Sequence, residues 1–132
     1  MITAGVHFHE GPLPAVAVPL DCDGAGAVIA FEGRVRPLED GRTIAALDYE
    51  IYEPMARQLL AQVAEELAAR FGLLALCVEH SYGRVEVGQC AFRLQVAAVH
   101  RQEALAAMAC FIDRLKQEVP IWKTAVEGAN AP

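Results

Sequence analysis

At 132 residues the chain is the length of one domain, and 55% hydrophobic against 21% charged residues give it enough apolar material for a core without disulfide or metal staples. A formal net charge of −6 argues against nucleic-acid binding through a general basic surface, but leaves room for a local basic pocket that takes a small anion. No apolar run approaches the ~20 residues of a membrane span, and the opening MITAGVHFHEGPLP has no basic segment followed by an apolar run, so neither a membrane anchor nor a signal peptide is expected.

In chain order, ITAGVHF reads as a short strand and EGPLP as irregular backbone. His7 and His9 are two apart on that strand; with no third ligand nearby, no metal site is expected. DCDGAGA is a turn into a strand over residues 27–36, in which Ala27, Ile29, Phe31 and Val35 alternate against Glu32, Arg34 and Arg36. Pro37 ends it, and PLEDGR reads as a charged loop with a turn-forming Asp-Gly. TIAALDYEIY is the next strand, with Leu47, Tyr49 and Ile51 on one face.

Pro54 and Gly72 bracket a helix whose apolar stripe is Ala56, Leu60, Val63, Leu67 and Phe71. LLALCVEHSYG and QCAFRLQVAAVH are strands joined through RVEVG, and in the second Phe92, Leu94, Val96 and Ala98 alternate with Arg93, Gln95 and Ala97. A second helix is expected over about residues 101–118 and, after Pro120, IWKTAV as a short last strand. Strands that neighbour each other as hairpins point to an α+β fold with a mainly antiparallel sheet. A single domain is expected over 1–132, with a short C-terminal tail from about residue 124. Cys22, Cys77, Cys90 and Cys110 are dispersed and form no C-x-x-C, which reads as reduced thiols in a cytoplasmic protein.

LKQEVPIWK, residues 115–123, carries the chemistry. On a helical wheel Leu105, Met108, Ile112, Leu115 and Val119 share the inward face, Lys116 falls at its margin, and Glu103, Arg114 and Gln117 point outward. Pro120 stops the helix, so the chain turns and Lys123 can return toward Lys116. The bland reading of Lys116 is a stem that covers apolar surface with its ammonium in water. The functional reading is an amine in a partly dry pocket beside other cations, usable as nucleophile or acid/base. Lys123, read alone, is an ordinary solvated charge beside Trp122. GRVR places Arg34 and Arg36 on one strand face, where Glu32 is a local partner. His100 and Arg101 stand at a strand-to-helix junction, where free backbone N–H groups and a guanidinium make an anion seat; a capping role is the bland alternative for His100.

Five segments resemble the MoaE family, the large (catalytic) subunit of molybdopterin synthase: GAVIAFEGRVR, LDYEIYEPMARQ, VEHSYGRVEVGQ, VAAVHRQEALAA and FIDRLKQEVPIWK. They stand in the family's order and cover roughly residues 24–124. The resemblance implies an α/β-hammerhead fold and a central homodimer. It implies one small ubiquitin-like (MoaD-type) subunit at each end, making a heterotetramer. The small subunit's C-terminal Gly-Gly thiocarboxylate would enter the large subunit's pocket. The implied reaction is a sulfurtransferase step on cyclic pyranopterin monophosphate (precursor Z) that forms the molybdopterin dithiolene for molybdenum cofactor biosynthesis, with no metal or bound cofactor.

Carried over motif by motif, Lys116 is the catalytic lysine and Lys123 its neighbour. Arg36 holds the phosphate, and His100 and Arg101 complete the anion site across the dimer interface. The family commonly continues well past the Trp-Lys pair, with a further Trp and Arg that close the pocket; here TAVEGANAP follows and no arginine lies beyond Lys123. The competing reading is a non-catalytic dimeric module that binds a pterin phosphate or a ubiquitin-like tail. Retention of Lys116 and Lys123 argues against it.

Overall fold

The computed structural model describes residues 3–20 and 22–128. Among them are the strands β1 (Thr3–Glu10), β2 (Ala27–Arg34), β3 (Leu38–Glu39), β4 (Arg42–Ile51), β5 (Ala75–Glu86), β6 (Cys90–Ala98) and β7 (Ile121–Glu127), with helices α1 (Met55–Phe71) and α2 (Arg101–Glu118). The seven strands form one sheet in the order β2-β6-β5-β4-β3, with β1 added to β5 and β7 to β4. Every pairing is antiparallel except β1 with β5, so the fold is α+β.

β5 holds this sheet together by changing partners along its length. Residues 75–80 pair with β6, and residues 83–86 pair with β4. Gly83 stands at the change with φ +79°, a left-handed conformation that a side chain resists. Each half then has its own core. Leu76, Val78, Leu94 and Val96 meet both helices in the larger cluster. Val35, Ile44, Leu47, Val85 and Ala91 form the smaller one.

The helix boundaries follow the local chemistry. α1 ends at Gly72, whose φ of 66° is the left-handed cap that releases the chain. Its stripe is buried as the spacing predicts, with Ala56, Leu60, Val63 and Leu67 each 2% exposed or less. α2 stops at Glu118, and Val119 adopts extended backbone before Pro120.

The buried face of α2 matches the expected one in part: Met108 and Val119 are buried and Ile112 and Leu115 pack against the core, but Leu105 does not. It is centred on Ala104, Ala107, Met108 and Phe111, and Leu105 is 54% exposed. Two alanines let α2 approach its neighbours closely, so the interface follows the small residues and rotates Leu105 out. Arg114, expected to point to solvent, is half-buried and links the helices, bonding Glu66 of α1 at 2.5 Å and Glu118 at 2.7 Å.

PLEDGR, expected as a loop, is a hairpin. Leu38 and Glu39 pair with Thr43 and Arg42 around Asp40 (φ 51°) and Gly41 (φ 77°), the two left-handed residues of a type I′ turn. The second face of β6 is covered as well. Segment 11–20 crosses it, and Pro14 and Val18 carbonyls accept from Arg93 at 2.7 Å and Gln95 at 2.7 Å. Beneath the strap, Arg93 pairs with Glu79 at 3.2 Å and with Glu32 at 3.2 Å. The β5–β6 connection is shorter than RVEVG suggests, since β5 continues to Glu86.

Candidate functional site

A cavity of about 560 Å³ lies in the seam between the two cores. Phe92, Ile112 and Leu115 come to it from the larger core, and Leu47, Tyr49 and Ala91 from the smaller. The basic residues arrive from three separate parts of the chain: Arg34 and Arg36 from the end of β2, Lys116 from the last turn of α2, and Lys123 from β7.

Local structure aims each of them. The pairing of β2 with β6 slips between Gly33 and Arg34, and such a bulge changes which side the following residues face. Arg36, just past it, therefore lines the same cavity as Phe31. Lys123 sits opposite Tyr49 in the β4–β7 ladder, which fixes it beside a cavity-lining residue.

The lining carries four cationic side chains and one carboxylate, Glu39. Lys123 Nζ lies 2.9 Å from Glu39 Oε1, and that hydrogen bond holds the Glu39 carboxyl below its ordinary range. Arg34 turns back to Glu32 at 2.8 Å, the local pairing that the sequence suggests. Arg36 and Lys116 have no carboxylate partner among the described residues. Lys116 lines the cavity beside Ile112 and Leu115, in keeping with its place at the margin of the inward face, but it is exposed there and not in a partly dry pocket.

His100 and Arg101 are not part of this cavity. Both are exposed at the opposite end of α2, and fifteen residues at 1.5 Å each put Arg101 about 22 Å along the helix from Lys116. Glu103 occupies the helix start, taking the His100 backbone N–H at 3.2 Å and lying 3.5 Å from His100 Nδ1. The anion seat thus has a carboxylate beside it, and His100 has the capping role its position suggests. His7 and His9 are exposed on β1, and no group of three possible metal-holding side chains occurs among the described residues.

Two cavity residues escaped the sequence reading. Glu39 reaches the site only because the type I′ hairpin folds its strand back, and the Asp-Gly pair was the available signal. His80 is 6% exposed and stands between two aromatic rings, Tyr49 at 5.3 Å and Phe92 at 5.8 Å. Its Nδ1 is 2.8 Å from the Ser81 carbonyl oxygen. A carbonyl only accepts, so Nδ1 carries the proton. Burial pushes the imidazole below its usual range and keeps it neutral, which leaves Nε2 as a lone-pair acceptor. Burial likewise raises the Tyr49 hydroxyl, helped by the Glu39 charge.

A second cleft of about 460 Å³ shares Tyr49 and Trp122 with the first. Trp122 is 56% exposed and meets Tyr52 edge-on at 6.4 Å.

Comparison with known proteins gives a consistent result. A family model described as MoaE protein matches residues 12–118. The chain is 38% identical over 102 residues to a molybdopterin synthase catalytic subunit from Bacillus subtilis, and 41% identical over 102 residues to one from Oryza sativa. Each match covers 77% of this chain but only 65% and 53% of those relatives, so the chain spans between about half and two thirds of their length. A cyanobacterial relative from Nostoc, of the same description, is 36% identical over 119 residues, covering 89% of this chain and 72% of its own length. Among solved structures, molybdopterin synthase from Staphylococcus aureus superposes with a TM-score of 0.79 at 27% identity, covering 96% of this chain and 93% of that one. A complex of subunits 1 and 2 of molybdopterin-converting factor from Helicobacter pylori gives 0.71 at 24% identity over 95% and 90% of the two chains, a likeness of fold.

Proposed function

The chain belongs to the MoaE family, and from that premise we propose that it is the catalytic subunit of a molybdopterin synthase. In this reading it moves sulfur from the thiocarboxylated C-terminus of a small ubiquitin-like subunit to cyclic pyranopterin monophosphate and so forms the dithiolene. The observation that carries the reading is the convergence of Arg36, Lys116 and Lys123 on one cavity in a protein of net charge −6. Both reactants are anionic, one through its cyclic phosphate and the other through its thiocarboxylate. A cluster of cations with apolar walls concentrates such ligands and stabilises the charge that develops as the thiocarboxylate sulfur attacks the pterin carbon to form a thioester and as water then cleaves that thioester, leaving the sulfur on the pterin and releasing the tail as a carboxylate.

The roles divide by what each side chain already holds. Arg36 has no carboxylate partner among the described residues, and its planar fork suits a phosphate. Lys123 is engaged by Glu39, so it acts as a shared charge that steadies the pocket. Lys116 is uncommitted, and we assign it the catalytic contact with the reacting sulfur or the bond it leaves. The cleft beside Tyr49 and Trp122 offers the tail an approach of aromatic surface.

His100 and Arg101 join the site only from a second copy of the chain, so this reading includes a homodimer with a small subunit at each end. We place the reaction in the cytoplasm. The Cys77 thiol is inert there because burial pushes it up to about 11.

A single-turnover assay tests the proposal. Purified protein, thiocarboxylated small subunit and cyclic pyranopterin monophosphate are mixed and molybdopterin is measured, with Lys116→Ala in parallel. Product from the wild type alone is expected. Product from Lys116→Ala at the wild-type rate would sink the assignment of Lys116. A stable complex with the small subunit and no wild-type product would favour the binding-module reading.

A further inference from the structure

We propose that His80 is a specificity-determining residue of the cavity, whose Nε2 accepts a hydrogen bond from a ring N–H of a planar heteroaromatic phosphate. The proposal rests on the pterin-phosphate reading and adds a group that selects the ring rather than the phosphate.

Three observations carry it. First, the tautomer is set by the protein's own backbone, since Nδ1 lies 2.8 Å from the Ser81 carbonyl and must donate to it. Nε2 is therefore an acceptor, and no hydrogen bond reaches it among the described residues. Second, the ring is held firmly. His80 is paired with Phe92 across the β5–β6 ladder, just before β5 leaves β6 for β4, and its ring is flanked by Tyr49 and Phe92.

Third, the other polar groups of the cavity do a different job. Arg34, Arg36, Lys116 and Lys123 only donate, and Glu39, a charged acceptor that is only half-buried, already takes Lys123 on Oε1. The Tyr49 hydroxyl both donates and accepts, so it does not discriminate. Of the lining residues that are buried, Leu47, Ala91, Phe92 and His80, only His80 has a side-chain acceptor. A buried acceptor in an apolar wall favours a ligand that brings an N–H and disfavours one that does not. Phe31, Phe92 and Tyr49 provide aromatic surface for a flat ring. A pterin has ring N–H and amino donors that fit this wall, and its phosphate suits the cations.

The test is calorimetric titration of the full chain with cyclic pyranopterin monophosphate and, separately, with inorganic phosphate. His80→Asn keeps a donor for the Ser81 carbonyl but is too short to place an acceptor at the Nε2 position. His80→Phe keeps the ring between Tyr49 and Phe92 and has no acceptor. Each variant is expected to bind the pterin phosphate about tenfold more weakly than wild type, with inorganic phosphate binding unchanged. If either variant does not fold, the other carries the test. Equal loss of both ligands would show a structural role and overturn the proposal, as would no loss of either. A wild type that binds inorganic phosphate as well as it binds the pterin phosphate would overturn the pterin reading itself, and this proposal with it.

Discussion

Two impaired variants of this chain, mixed, should show more activity than either has alone. The perturbation is Lys116→Ala in one preparation and Arg101→Ala in the other. Arg101 lies about 22 Å along α2 from Lys116 of the same chain, well beyond the ~8 Å over which an exposed charge acts at physiological ionic strength. If both serve one site, they come from different protomers. Removing Arg101 deletes one charge-assisted contact, typically 1.5–3 kcal/mol, or a loss of about ten- to a hundredfold. After the protomers are allowed to exchange, half of the dimers are mixed. Each mixed dimer has one doubly damaged site and one intact site, made of Lys116 from one copy and His100 with Arg101 from the other. The mixture should therefore turn over at about a quarter of the wild-type rate per site, well above either parent. Single-turnover molybdopterin formation is the assay. A mixture that stays at the average of its parents would refute the cross-dimer site and leave His100 and Arg101 with their capping and surface roles.

Three other outcomes follow from the geometry. Arg93→Met leaves Glu79 buried beneath segment 11–20 without its main partner, and should destabilise the fold by about 3–5 kcal/mol in urea denaturation; a change below 1 kcal/mol would mean that the strap opens to water. Glu39→Gln frees Lys123 from its carboxylate and should tighten inorganic phosphate binding about two- to fivefold by calorimetry, whereas weaker binding would show that Glu39 is needed to position Lys123. Stability should fall in two steps as pH is lowered. His80 resists protonation in the fold but not in the unfolded chain, so its step begins near pH 6.5. Glu32, Glu39, Glu66 and Glu118 are held below 4.5 by their arginine and lysine partners, so their stabilisation is present above 4.5 and lost as pH falls through their lowered values. His80→Phe should remove the upper step alone, as read by melting temperature between pH 7.5 and 4, and an unchanged upper step would place its origin elsewhere.

The parts of this structure that the sequence made legible are those set by local rules. Pro54, Gly72 and Pro120 punctuate the helices, and the alternation of Phe92, Leu94 and Val96 identifies the core side of β6. The rest depends on contacts between distant segments. Leu105 looked inward because it shares a helical-wheel face with Met108, Ile112 and Leu115, yet Ala104 and Ala107 set how closely α2 packs. Arg93 and Gln95 alternate with the core residues of β6, and nothing local shows that the crossing of segment 11–20 covers them. His80 looked like any strand histidine, because nothing local marks where β5 exchanges one partner for another.

The pattern of ion pairs explains how an acidic protein keeps a basic site. Of the 11 lysines and arginines, Arg34, Arg42, Arg57, Arg84, Arg93, Arg114 and Lys123 each meet a carboxylate. Among the described residues Arg36, Arg70, Arg101 and Lys116 do not, and Arg70 stacks on the Phe71 ring at 4.9 Å. The remaining three are residues that motif resemblance places in the site. A paired cation adds little net field beyond its partner, and a free one projects its full charge. The excess of acidic residues therefore does not oppose anion binding in the cavity. Those carboxylates neutralise the basic residues elsewhere, and Arg36 and Lys116 stand out because the rest of the surface is already balanced or negative. By the same reasoning, a carboxylate introduced within reach of Arg36 should weaken anion binding more than the same change beside Arg57, which already has Glu53 at 2.9 Å.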